Sequence, residues 1–427
     1  MRKKLMVLIH DIDPFIYLKG LECLDYEIDV IYTEPQNPAM SAIFNNWLKV
    51  TTLKTQSVKG LESIYELAEK IGREKNIDGI LSFNEFMTEP VAEIAQNLNL
   101  PGNSVQAVKA VQNKYLQRMK LKEYQVPSAK FHLIREESDL AAASQSIDFP
   151  AVLKPAFGSG SYHVYDIENM EQLREVYKTK IKSYSNYLNK EKELFLLEEK
   201  LIGANFYHTE GYGDYVSVES MVYKGKINHI CVCDKTPLAP PFRETGAILP
   251  SVLETDKQNE IYEVASKAIK ALGLTNGPVH TEIKLTEHGP KIIEVNARAG
   301  GAMPIMLQLC SDYDIPKEAA KITVGEEPKS KATFKGYGSS FFFHEESVSE
   351  KEVESIDGVE EARAIQGIHT LVCLKKPGDK ILADLGMRSL YSFAYTFGNT
   401  SVECLEQYKK IKETIKVSYK IGSVEHV

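Results

Sequence analysis

Glu282, Glu294, Asn296 and Arg298 are polar residues set into two apolar-alternating segments, Gly277-Pro-Val-His-Thr-Glu282-Ile-Lys-Leu and Lys-Ile-Ile-Glu294-Val-Asn296-Ala-Arg298-Ala-Gly300-Gly301. Thr-Glu-His-Gly-Pro separates them. Period-two alternation on both sides of a Gly-Pro turn predicts a β-hairpin. Successive strand side chains face opposite ways. Glu294, Asn296 and Arg298 therefore share one face, and Ile293, Val295 and Ala297 the other. On the first strand His280, Glu282 and Lys284 oppose Val279, Thr281 and Ile283. A turn centred near His288 sets Glu282 across from Glu294 and His280 across from Asn296. Like charges in that arrangement destabilise a sheet. Two carboxylates and an amide oxygen on one face instead form a hard-oxygen site for Mg²⁺, the ion that neutralises polyphosphate. Arg298, one step further, reaches a phosphoryl oxygen. The alternative is a solvated hairpin face that charges merely decorate.

Two other segments have residue types suited to a polyanion. Phe149-Pro-Ala-Val-Leu-Lys154-Pro-Ala-Phe-Gly158-Ser159-Gly160-Ser161 reads as a strand that delivers a lysine into a glycine-rich turn. Backbone N–H groups of such a turn wrap phosphate oxygens, because glycine permits close approach. A plain hairpin turn reads the same way. Phe195-Leu-Leu-Glu198-Glu199-Lys200-Leu201 turns abruptly from apolar to charged. Extended backbone there offers one carbonyl and one N–H to the rim of a purine; a solvated strand margin is the simpler reading.

These residues need a scaffold. The 427 residues suggest about three domains, and 43% hydrophobic with 26% charged residues is the composition of an ordinary globular protein. A net charge of −8 argues against general nucleic-acid or membrane affinity. Cys231 and Cys233 are spaced as alternate strand residues, not as a metal-binding or redox pair. The apolar run after Met-Arg-Lys-Lys is only five residues long before His10, Asp11 and Asp13 stop it, too short for a signal peptide, so a cytoplasmic chain is expected. Strands over 5–10 and 28–33 with a helix over roughly 14–24 between them predict a β-α-β opening of a parallel sheet. Ile80-Leu-Ser-Phe adds a strand after a helix at 58–75, leaving Asn84-Glu85 at the strand's C-terminal end, where open α/β sheets place ligand contacts. No GxGxxG follows the first strand. A helix over about 104–123 follows, then an α+β unit over 130–200 with a polar helical stretch at 168–192. Strands then dominate 206–234, a helix covers 256–272, and the last hundred residues mix short strands (338–344, 369–374) with a helix near 401–415.

Taken in order, the set resembles the ATP-grasp superfamily, in which ATP lies between two α+β subdomains. Asn113-Lys114 matches the lysine entering from the preceding helix, Lys154 the second phosphate lysine, and Gly158 to Ser161 the flexible loop. Glu198-Glu199-Lys200-Leu201 resembles the adenine hinge. Glu282, Glu294 and Asn296 match the metal ligands and Arg298 the phosphoryl-stabilising arginine. The resemblance implies three parts: an N-terminal parallel-sheet α/β domain (1–104), a two-subdomain grasp (105–325) with a lid at about 126–200, and a C-terminal α+β domain (326–427). Val218-Glu219-Ser220, Asp234-Lys235 and Pro240-Pro-Phe-Arg-Glu244-Thr-Gly246 further resemble the L-amino-acid ligases, which join two unprotected amino acids into a dipeptide. There the glutamate matching Glu244 helps hold the first amino acid. Three positions depart from the pattern. Asn205 stands where a ribose-binding glutamate is frequent, His163 where the loop often has glycine, and Ala247 where the ligases have histidine.

The resemblance thus implies an ADP-forming, ATP-dependent carboxylate–amine ligase that makes dipeptides through an acyl phosphate, with ATP as substrate and one or two Mg²⁺, or Mn²⁺. Lys114, Lys154 and the 158–161 loop would take the phosphates; Glu198 to Leu201 and Asn205 the nucleoside. Arg298 and Lys154 would serve catalysis. Glu85, Arg243, Glu244, Ala247, Arg298, Gly300, Gly301 and Ala302 would line the amino-acid pockets. A homodimer is implied by the resemblance alone. A carboxylase-like enzyme activating bicarbonate or another small carboxylate shares the nucleotide site. A regulatory nucleotide-binding subunit would be expected to have lost an acidic ligand or Arg298.

Overall fold

The apolar run Lys3–Ile9 forms the inner strand of a four-stranded parallel sheet. Leu5 to Ile9 are all fully buried, as strands covered on both faces must be. The spatial order is Lys54–Val58, Tyr26–Thr33, Lys3–Ile9, Gly79–Leu81. The computed structural model describes residues 2–420 apart from 11, 13, 36–37, 182–193 and 348. The helix expected over 14–24 ends at Leu18, and a short 3₁₀ turn, Leu21–Cys23, follows. Gly20, itself helical in backbone angles, lies between the two, and a Cβ there would lie 2.5 Å from the Asp314 carboxylate.

The single helix expected over 104–123 is two, Val105–Gln112 and Lys114–Glu123. Asn113 between them is extended, and its side chain accepts hydrogen bonds from the N–H groups of Tyr115 and Leu116, an N-cap that starts a new helix. Lys114 thereby becomes the first residue of that helix. A four-stranded antiparallel sheet follows, in the order Phe131–Ile134, Phe195–Glu199, Ala151–Pro155, Tyr165–Ile167. Of the polar stretch expected to be helical over 168–192, Met170–Val176 and Tyr177–Ile181 are helical; residues 182–192 lie outside the described residues.

The largest sheet has eight strands, in the order Gly289–Asn296, Gly277–Thr286, Tyr215–Tyr223, Lys226–Lys235, Gly246–Leu249, Tyr337–Phe343, Ser392–Gly398, Ile368–Cys373. Strands expected from 206 begin at Tyr215. The sheet runs straight across position 325, because Gly246–Leu249 pairs with Tyr337–Phe343. Helix Thr255–Ala271 packs its apolar face on one side. A three-stranded sheet of Lys380–Ile381, Lys351–Asp357 and Lys416–Tyr419, together with helix Ser401–Thr414, completes the C-terminal part. Among the described residues no helix is long and apolar enough to cross a membrane.

Candidate active site

The hairpin forms in the register the alternation demands, with Glu282 opposite Glu294 and His280 opposite Asn296. A bulge follows: Ile283 pairs with Ile292, leaving Ile293 as an extra residue. Ile292 and Val295 therefore fill the core, whereas Ile293, expected on the core face, lines a cleft beside Glu294. This cleft, of about 240 Å³, lies between the lid sheet and the eight-stranded sheet. Lys114, Lys154, Gly158 to Ser161, Glu198 to Leu201, Glu244, Glu282 and Glu294 all contribute to its walls.

Each buried charge on these walls has a counter-charge. Lys114 Nζ lies 2.6 Å from Glu294 Oε1 and donates to the Gly158 carbonyl at 2.7 Å, joining hairpin to glycine loop. Lys154 Nζ lies 2.8 Å from Glu198 Oε2, and Arg118 Nε 2.9 Å from Glu198 Oε1. Arg118 also donates to the Ile293 carbonyl at 2.6 Å. Burial pushes the Lys154 pKa down, with Glu198 opposing it; Glu198, despite its own burial, is held below the usual carboxylate range by Arg118 and Lys154. His280 Nδ1 lies 2.6 Å from Glu219, and its Nε2 3.4 Å from Glu282. Burial disfavours the imidazolium, yet Glu219 and Glu282 push its pKa up to about 9. Burial likewise works against the Glu282 carboxylate, but His280, Lys235 and Arg298 bring its pKa down to about 2. Lys235, 2% exposed, pairs with Glu244.

Ionised Glu282, with Glu294 directly opposite and the Asn296 amide next along the same strand, supplies hard oxygen donors. No group of three or more His, Cys, Asp or Glu capable of holding a metal occurs among the described residues. Two carboxylates suit Mg²⁺, which keeps several waters and completes its shell with substrate phosphates. The residues fit that ion.

Other expected site residues lie around the cleft rather than on its walls. Arg298 Nε is 2.7 Å from Glu85 Oε2, so the end of the first sheet meets the loop after the hairpin. Burial opposes the Arg298 charge, but Glu85 raises its pKa. Gly300 donates to Glu219 at 3.4 Å, and Tyr17 to the Gly301 carbonyl at 3.3 Å. Ala302 is buried as the N-cap of helix Met303–Cys310. Asn205 accepts from the Tyr207 N–H at 2.9 Å. Two residues expected to shape a pocket sit in the interior. Ala247 is a buried member of the eight-stranded sheet, and fully buried Arg243 donates to Pro240, Ser389 and Glu345, turning away from the cleft. His163 adopts a left-handed conformation (φ +53°) with Nδ1 2.5 Å from the Tyr165 hydroxyl.

The sequence motifs do not single out Arg118 or Tyr215, and they place Glu219 and Lys235 in the ligase-like string without a role for either. The signal for Arg118 was present: Lys114, Gln117, Arg118 and Leu121 are the buried residues of their helix, at i, i+3, i+4, i+7 spacing, a polar stripe where an apolar one belongs. Tyr215, buried beside Glu244 and Glu282, has its hydroxyl pKa raised by burial and by those acids, so it stays protonated.

Residues 147–305 match the model of an ATP-grasp domain. The chain is 34% identical over 249 residues to alanine–anticapsin ligase of Bacillus subtilis (strain 168), over 56% of this chain and 52% of that protein, so it matches about half the relative's length. Its fold is similar to that of an L-amino acid ligase from Bacillus licheniformis, with a TM-score of 0.76 at 19% identity over 98% of this chain and 99% of that one. It is also similar to N5-carboxyaminoimidazole ribonucleotide synthetase from Thermotoga maritima, with a TM-score of 0.67 at 18% identity over 98% and 100%.

Proposed function

We propose that this chain, whose fold is that of the ATP-grasp proteins, is an ATP-dependent carboxylate–amine ligase joining two L-amino acids into a dipeptide, with release of ADP and phosphate. One observation carries the reading: Lys114 and Lys154 reach a single cleft, each paired with a carboxylate, Glu294 and Glu198, that a polyanion can displace. The similarity to alanine–anticapsin ligase supports the amino-acid substrate class.

A carboxylate is a poor acyl donor because its leaving group would be oxide. Transfer of the γ-phosphoryl group gives an acyl phosphate that an amine attacks, and catalysis is then positioning and charge neutralisation. Lys114 and Lys154 hold the α- and β-phosphates, with N–H groups of the Gly158–Ser161 loop around them. The backbone of Glu198 to Leu201 meets the purine, and Asn205 a ribose hydroxyl. Glu282, Glu294 and Asn296 would hold one or two Mg²⁺, which when bound offset phosphate charge. Arg298, kept in place by Glu85, stabilises the transferred group together with the Gly300 and Gly301 backbone. Closure of the glycine loop keeps water from the acyl phosphate. Glu244 takes the ammonium of the first amino acid.

Lys235 already neutralises Glu244, and Ala247 offers no imidazole. Those two facts favour a second reading, activation of bicarbonate or another small carboxylate. Turnover with each amino acid alone, with pairs and with bicarbonate separates the two. ADP with a new peptide mass is expected; ADP only with bicarbonate selects the second reading, and AMP with pyrophosphate overturns both.

A further inference from the structure

The Gly158–His163 loop is gripped from outside its own subdomain. The Met387 N–H donates to the Gly160 carbonyl at 2.9 Å, and the His163 N–H to the Asp384 carbonyl at 3.0 Å. Side chains reinforce the grip: Lys180 Nζ lies 2.7 Å from Asp384 Oδ2, and the Arg388 guanidinium stands 5.4 Å from the Tyr162 ring centre. Between these contacts Gly386 has φ +56°, ψ −129°. A Cβ on it would come 2.2 Å from the Gly160 oxygen, so close docking of the two backbones requires glycine there.

The other end of the same segment reaches the opposite wall. Ser389 Oγ donates to the Gly386 carbonyl at 2.6 Å and receives Arg243 Nη1 at 3.2 Å. It also lies 3.4 Å from His344 Nδ1, whose Nε2 is 2.9 Å from the Glu244 carbonyl. Ser161 Oγ donates to the Phe242 carbonyl at 2.8 Å. The contacts close a ring: loop to Phe242, along the chain to Arg243, to Ser389, to Gly386, and back to the loop. A buried guanidinium spends its hydrogen bonds here on backbone carbonyls and one hydroxyl. That use fits a residue that sets geometry.

We propose that Ala383–Ser389 is a strap that positions both walls of the cleft at once, holding the glycine loop shut and fixing the backbone of Glu244. Arg243, His344 and Ser389 are positioning residues. Opening the loop breaks the bonds to Met387, Asp384 and Phe242 together, while the Glu244 backbone stays bonded to His344. The inference rests on the ligase reading only for its kinetic read-outs.

Hydrogen–deuterium exchange on the full chain tests it without any ligand. Gly386→Ala should speed exchange of the His163 and Met387 amides, the two that bond across loop and strap, by about tenfold, the effect of losing a backbone hydrogen bond. Amides of Gly277–Thr286 should not change. Arg388→Ala, at the surface, should produce a smaller acceleration and keeps the test available if Gly386→Ala does not fold. Ser389→Ala should raise KM for the amino acid held at Glu244 and, through the Gly386 carbonyl it bonds, KM for ATP as well, with an unchanged circular dichroism spectrum and melting curve, whereas a loss of structure would alter both of those. Loop exchange unchanged in a folded Gly386→Ala protein, or in Arg388→Ala if that protein does not fold, overturns the strap. A loosened loop with no ADP formed from any amino-acid pair leaves the strap standing and sinks the ligase reading.

Discussion

Asp234 and Lys235 are consecutive residues of one strand, each almost wholly buried, facing opposite sides of the same sheet. Burial penalises both charges. Lys235 faces the cleft, where Glu244 and Glu282 overcome that penalty and raise its pKa. Among the described residues Asp234 meets no cation. Tyr207 and Ser251 hydroxyls at 2.9 and 2.5 Å and the Val252 N–H at 2.8 Å are its partners, and burial pushes its pKa up to about 6. What separates the faces is therefore the counter-charge and not the depth. On the cleft face, carboxylates stay ionised beside cations that a charged ligand can borrow. On the other face a carboxyl group ties the turn at 251–252 to Tyr207 and gives up its charge readily.

The sharpest way to test the cleft side of this contrast is Glu294→Gln. It keeps the shape and removes one anionic donor, and kcat/KM should fall about a thousandfold, or ~4 kcal/mol, with an unchanged circular dichroism spectrum. Undiminished turnover at limiting Mg²⁺ would remove the metal role. Lys154→Ala should raise KM for ATP and lower kcat, together about a hundredfold or ~3 kcal/mol. Glu198 retains Arg118, so the fold should survive. Unchanged ATP kinetics would reduce the 154–161 segment to an ordinary strand turn.

The opposite face is tested by pH. The Asp234 pKa rises from 3.8 to about 6 on folding, so between those values the folded state holds more protons than the unfolded one. Wild-type stability from this group therefore falls as pH rises through that window. Asp234→Asn cannot ionise, so its stability relative to wild type should improve from pH 4 to pH 6.5 by about 2 kcal/mol. Urea melts at the two pH values measure this, and a pH-independent difference would erase the contrast between the faces. The smallest effect is expected from Gly300→Ala. The added Cβ would lie 2.7 Å from His280 Nδ1 and 2.8 Å from Met303 Cγ, and overpacking of this kind costs about 1–3 kcal/mol. A variant as stable as wild type would show that the Glu219–His280 pair can shift freely.

Much of the cleft could be read from local pattern. Alternation around a Gly-Pro turn was enough to pair Glu282 with Glu294, because strand faces repeat every two residues. The bulge at Ile293 was not evident, since two adjacent isoleucines satisfy either register. Apolar periodicity continues on both sides of Asn113 and predicts one helix across it, although its side chain caps the second helix. Arg243 was misplaced for a different reason. Arginine is seldom fully buried, and what covers it comes from Glu345 and Ser389, more than a hundred positions later. The partners of Glu198 were hidden likewise, Arg118 being 80 residues away. Ser392–Gly398 is legible too: Ser-Phe-Ala-Tyr-Thr-Phe-Gly has the aromatic alternation of a strand.

The sheet that runs across position 325 also determines how this chain can be shortened. Gly246–Leu249 is hydrogen-bonded on one side to Lys226–Lys235 and on the other to Tyr337–Phe343. A chain cut after the nucleotide-binding half would leave Gly-Ala-Ile-Leu as a naked apolar margin with its backbone donors and acceptors unmet. Such margins recruit strands from neighbouring molecules. The last hundred residues are thus a stopper against self-association, and a truncated protein should precipitate instead of yielding a smaller, working domain.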